Sequence, residues 1–134
     1  MEEAADVTLV DMEAGLEHLS RSGGTLAYAD VLLVIMEPTR KSIMMGARTK
    51  ALAEELGIPM TFGVGNKAAP GDQAFFDEVA SELGLALAGV IPHDAEVIEA
   101  DRSGIPLSRT GGSAVRAAVA DIVRFVDEAM TLTV

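Results

Sequence analysis

Short, continuous apolar runs alternate along this chain with segments whose apolar residues recur every three to four positions. The runs are Val7–Val10, Val31–Met36, Met60–Val64 and Leu85–Ile91, each bounded by Gly, Pro or an acidic residue. Runs of that length without polar alternation are what strands covered on both faces look like. The helical segments lie between and after them. Ser42–Leu56 places Ile43, Ala47, Ala51 and Leu52 on one face and stops at Gly57. Asp72–Leu83 does the same with Phe75, Phe76, Val79 and Leu83 and stops at Gly84. Both end in Glu-Leu-Gly before an apolar residue, a helix stop that feeds the next strand. A short helix over Ala95–Arg102 follows Asp94 as its N-cap. A last helix, about Gly112–Met130, aligns Val115, Val119, Ile122, Val126 and Ala129.

Repeated βα units of this length imply right-handed crossovers and a mostly parallel sheet. The predicted fold class is therefore α/β, three-layered, with helices on both sheet faces. The 134 residues form a single domain, 1–134, with no linker or low-complexity segment, the loosest stretch being 20–28 around Gly23-Gly24. Hydrophobic residues make up 49% of the chain and aromatics 4%, a balance that suits an Ala/Val/Leu/Gly-rich sandwich better than a barrel. The net charge of −11 argues against nucleic acid and against an anionic membrane surface, since both need clustered Lys and Arg. With no cysteine there is no disulfide framework, thiolate chemistry or Cys-based metal site. The acidic Met1–Asp6 start is no secretion signal, and no apolar run approaches a membrane span. A cytoplasmic protein is the expectation.

In open α/β sheets ligands bind beyond the C-terminal ends of the strands. Four features are expected to collect there: Asp11 with Gly15, then Glu37-Pro38-Thr39-Arg40, Asn66-Lys67, and Pro92-His93-Asp94. Each has an ordinary structural alternative. Asp11 can cap a strand end, Asn66 can sit in a left-handed turn, and Lys67 and Arg40-Lys41 can be solvent-exposed. His18 and His93 have no second His or Cys at ligand spacing, which favours structural or solvent-facing roles. Glu13 and Glu17, at i and i+4, read as a solvated acidic face rather than a catalytic pair. A receiver- or flavodoxin-like domain is a further alternative, but Asp11 and Lys67 supply only part of its acidic pair, acceptor and lysine.

Asp11-Met12-Glu13-Ala14-Gly15-x-Glu17-His18-Leu19 is the most specific string in the chain. Read with Arg21, Glu37–Ile43, Asn66-Lys67, Gly89–Asp94 and Ala100–Leu107, it resembles the CooC-type nickel-insertion ATPases of the MinD/ParA group of deviant P-loop proteins. The resemblance is collinear over nearly the whole chain. It implies that Asp11 is a Walker B-type carboxylate reaching Mg²⁺ through water and that Gly15 faces the γ-phosphate. It implies that Asn66 binds the adenine edge of ATP or ADP and that Pro92, His93 and Asp94 meet the base through backbone groups. A homodimer and a metalloenzyme client belong to the same implication. The phosphate loop, G-x-x-x-x-G-K-S/T, is absent from these residues, as is the metal-binding cysteine pair of the family. No catalytic residue is therefore assigned. The expectation is a truncated or split member of the family, with an inactive binding or regulatory module as the alternative. The family places its phosphate-loop strand between Val7–Val10 and Val31–Met36. Closing that gap requires the two runs to pair directly across the 20-residue connection Asp11–Asp30, or a second copy or another polypeptide to pair with them.

Overall fold

The computed structural model describes residues 7–12, 28–109 and 113–132. Three parallel strands, β1 (Val31–Met36), β2 (Met60–Ala68) and β3 (Leu87–Pro92), lie in the order β1-β2-β3. Helix α1 (Arg40–Glu55) links β1 to β2 and α2 (Asp72–Glu82) links β2 to β3. After β3 come α3 (Ala95–Ser103), a 3₁₀ turn (Leu107–Arg109) and α4 (Ser113–Leu132). The α/β architecture, the parallel sheet and every one of the expected helices are present.

Strand alternation sorts the two faces. Gly63 and Gly65 of β2 turn toward Met36, Leu85 and Phe76, while Phe62 and Val64 turn the other way, toward α4. On the first face α1 and α2 bury Ile43, Phe76, Val79 and Ala80 against Met36 and Leu85. On the second, Ile122 of α4 covers Val64 and Ala88, and Phe125 meets the Phe62 ring edge-on with centroids 4.9 Å apart. Sheet and helices thus make three layers.

The Glu-Leu-Gly stops act as their sequence implies. Gly57 and Gly84 adopt φ of 85° and 70°, where any side chain is strained. The N–H groups of Gly57 and Ile58 donate to the carbonyls of Glu54 and Ala53; those of Gly84 and Leu85 donate to Ser81 and Ala80. This is the paired hydrogen-bond closure of a glycine-ended helix, and it drives the following apolar residue, Ile58 or Leu85, into the core. Helix α1 starts two residues before the expected Ser42, because Thr39 is its N-cap and accepts from the Ser42 N–H at 3.1 Å.

One expectation fails. Residues 7–10 form no strand and do not pair with β1; Leu9 is 90% exposed. A run of four residues returns few ladder hydrogen bonds against the entropy of closing a long connection. In any register one of its flanking acids, Asp6 or Asp11, would also approach Asp30 or Glu37, the acids that flank β1, like charge against like. The gap is therefore not closed by direct pairing of these two runs, and among the described residues β1 is an edge strand.

Candidate functional site

Three of the four chemistry-bearing segments meet at the C-terminal end of the sheet. The junction after β1 is rigid: the Glu37 N–H donates to Ser42 Oγ at 2.9 Å, and Ser42 in turn donates its N–H to the Thr39 cap. In β2 the ladder slips. Gly65 stands opposite Val90 and Ala68 opposite Pro92, so Asn66 and Lys67 together oppose Ile91. That is a bulge, which bends a strand and re-aims its side chains. Lys67 absorbs the extra residue at φ 56°; the left-handed turn considered for Asn66 belongs to its neighbour instead. Lys67 also reaches Glu37, with Nζ 3.4 Å from Oε1, tying the ends of β2 and β1. Both side chains are mostly exposed, so the pair contributes at most about 1 kcal/mol.

Beyond the bulge the His93 N–H donates to the Ala68 carbonyl at 2.9 Å. This bond holds the Pro92–Asp94 segment beside the end of β2. Half-buried Asn66 and the segment 92–94 consequently share one corner of the molecule. Asp94 is already occupied: its carboxylate accepts from the Glu96 N–H at 2.8 Å and caps α3, as its position implied. The His93 N–H is likewise committed to the sheet, and its ring is exposed. Any ligand at this corner therefore meets the Asn66 amide and the remaining backbone groups of 92–94.

The corner rests on a close approach. A Cβ on Gly65 would stand 2.8 Å from Cε2 of Phe76, whose side chain is fully buried. Glycine here lets α2 pack directly beneath the bulge. Neither this contact nor the Glu37–Lys67 pair is evident from residue type alone; a Gly before Asn-Lys inside a strand is the signal that marks the bulge.

Asp11 does not join this corner. Its neighbour Met12 packs on Ala53 and Ile58 with Leu32, Leu52 and Leu56, where the strands begin. The run of β2 from Met60 to Asn66 separates that cluster from the corner by roughly 20 Å at the usual strand rise. With no strand over residues 7–10, nothing carries Asp11 along the sheet. Gly15, and with it Glu13, Glu17 and His18, lies outside the described residues. Among the described residues no group of three or more His, Asp or Glu is arranged to hold a metal ion. No helix among them is long and apolar enough to cross a membrane.

No family model matches the chain. Individual proteins do. An uncharacterized ATP-binding protein of Methanocaldococcus jannaschii is 38% identical over 104 residues, covering 77% of this chain and 40% of that one. The carbon monoxide dehydrogenase accessory protein CooC of Rhodospirillum rubrum is 37% identical over 101 residues, 75% of this chain and 37% of CooC. The fold matches the MinD cell division protein of Aquifex aeolicus with a TM-score of 0.66 at 18% identity, covering 77% of this chain and 46% of MinD. The chain thus spans about two-fifths of the length of the relatives it matches. By sequence and by fold it belongs to the group that includes CooC and MinD, and it corresponds to a C-terminal portion of that group's P-loop NTPase fold.

Proposed function

We propose that this chain supplies the base-recognising part of an ATP-binding fold and that, taken alone, it turns ATP over negligibly. The observation that carries the reading is the corner where the β2 bulge sets Asn66 beside residues 92–94. An Asn amide offers one donor and one acceptor, the complement of the adenine amino group and its neighbouring ring nitrogen. The ATP-binding description of the Methanocaldococcus relative supports the same ligand.

The phosphate side of the reading is thinner. Mg²⁺ held through water by Asp11, with Gly15 facing the γ-phosphate, requires residues 7–11 to run along the sheet rather than end at the Met12 cluster. Phosphoryl transfer depends on loop amides and a lysine cradling the phosphates, and these 134 residues contain no such motif. That sequence fact favours a second reading, a binding or regulatory module that keeps the fold without catalysis. Nickel insertion into a metalloenzyme client, a homodimer and a cytoplasmic location are supported by likeness to CooC and MinD alone.

Titration of ATP followed through backbone amide resonances tests the proposal. Perturbations should cluster at 66–68 and 92–94, with a Kd near or above about 1 mM. Asn66→Ala should weaken binding by about thirtyfold, the worth of two hydrogen bonds at about 1 kcal/mol each. Perturbations confined to other segments, or binding indifferent to Asn66→Ala, would overturn it.

A further inference from the structure

Helix α4 is fixed on the sheet at one rotation. Ile122 sits directly on the backbone of Gly89 in β3, where an added Cβ would clash with its Cγ1. Phe125, on the β2 side of that contact, meets the Phe62 ring. At about 100° per residue, Val119 and Val123 fall on the far side of Ile122, away from β2 and toward the outer edge of β3. No further strand flanks β3 among the described residues. Val119 is 40% and Val123 62% exposed. Together with Arg116, Ala120 and Asp127, all exposed, they form one stripe down the helix, repeating every three to four residues as a helix–helix seam does. The apolar arc of α4, from Phe125 round to Val123, is thus wider than the sheet covers.

We infer that this stripe docks α4 of a second copy of the chain, packed antiparallel about a two-fold axis. The stripe is complementary to itself in that direction. Setting Val119 of one copy against Val123 of the other brings Arg116 of each level with Asp127 of the other to within one residue, about 1.5 Å of rise. The symmetry makes that ion pair twice, once at each end of the valine contact. A parallel arrangement would instead oppose Arg116 to Arg116 and Asp127 to Asp127. Ala120, small and central, lets the two backbones approach. Asp121 is already paired with Arg124 at 3.1 Å, whereas the Asp127 carboxylate makes no ion pair among the described residues. The chain's net charge of −11 is not concentrated here, since α4 carries two arginines against three acids. Charges farther away are screened beyond about 8–10 Å at ordinary ionic strength. The interface uses neither Asn66 nor residues 92–94, so it stands apart from nucleotide binding.

Sedimentation equilibrium of the full chain, with and without ATP, tests the inference. A reversible dimer is expected with a Kd of about 10–100 μM, unchanged within about twofold by ATP. Val123→Lys, at a site already exposed and so compatible with folding by circular dichroism, should weaken the dimer at least about tenfold. Arg116→Glu and Asp127→Arg should each weaken it at least about threefold. Combined in one chain they should restore it to within about twofold of the original, a reversal that antiparallel α4 pairing requires. Ile35→Lys, on the exposed side of β1, should leave it within about twofold. A monomer up to about 1 mM, a dimer indifferent to Val123→Lys, a dimer lost on Ile35→Lys, or a double variant that fails to recover would each overturn the inference.

Discussion

Gly65 decides how close α2 can come to the functional corner. Phe76 lies within van der Waals range of its backbone and has no room to retreat, being fully buried. Gly65→Ala is therefore expected to destabilise the domain by about 1–3 kcal/mol through overpacking and to disturb the amide resonances of Asn66 and Lys67, which chemical denaturation and NMR would measure. Thr61 presents the reverse case. It is buried, and among the described residues its hydroxyl finds no partner. An unsatisfied buried hydroxyl costs about 1–3 kcal/mol, so Thr61→Val should raise the denaturation midpoint at unchanged slope. A loss of stability would show that the hydroxyl has a partner elsewhere. Residue identities also set the limit of reading a site from sequence. Asn66 and Asp94 stand out by type and position, and Asp94 caps as expected. Gly65 marks where the bulge lies, but the ladder register between β2 and β3 that orients Asn66 is set by the partner strand and not by that residue.

At the scale of elements, the helix stops were the most legible part of the chain. Glu-Leu-Gly fixes where α1 and α2 end because the closing glycine must take a positive φ, a local requirement independent of tertiary context. Gly84→Ala should cost about 1–2 kcal/mol, the left-handed penalty for a residue with a Cβ, and thermal unfolding would detect it. Asp94→Ala should cost about 1 kcal/mol by removing the α3 cap while leaving the sheet intact, a difference that hydrogen exchange confined to 95–103 would reveal. Strand existence was legible for β1, β2 and β3, where apolar runs are flanked by helices long enough to cover them. It was not legible for Val7–Val10. An apolar run records what a segment can bury, whereas pairing depends on a neighbouring edge and on the charges at its ends. The same distinction bears on Asp11: the string around it carries the family resemblance, while its neighbour Met12 packs in the cluster at the start of the sheet.

For the whole molecule, three parallel strands with helices on both faces match a C-terminal portion of the MinD fold. The corner formed by Asn66 and residues 92–94 is assembled within this chain, and among the described residues no strand pairs with the outer edge of β1. These two features predict different dependences on the nucleotide. A corner that reads the base without a phosphate loop should gain nothing from added phosphates. The most direct measurement is isothermal titration of this chain with ATP, ADP and adenosine in the presence of Mg²⁺. The account predicts affinities that agree within about threefold across the three ligands, or less than about 0.7 kcal/mol, and no detectable release of phosphate. A preference for ATP over adenosine greater than about tenfold, or turnover within about tenfold of an intact relative, would contradict it.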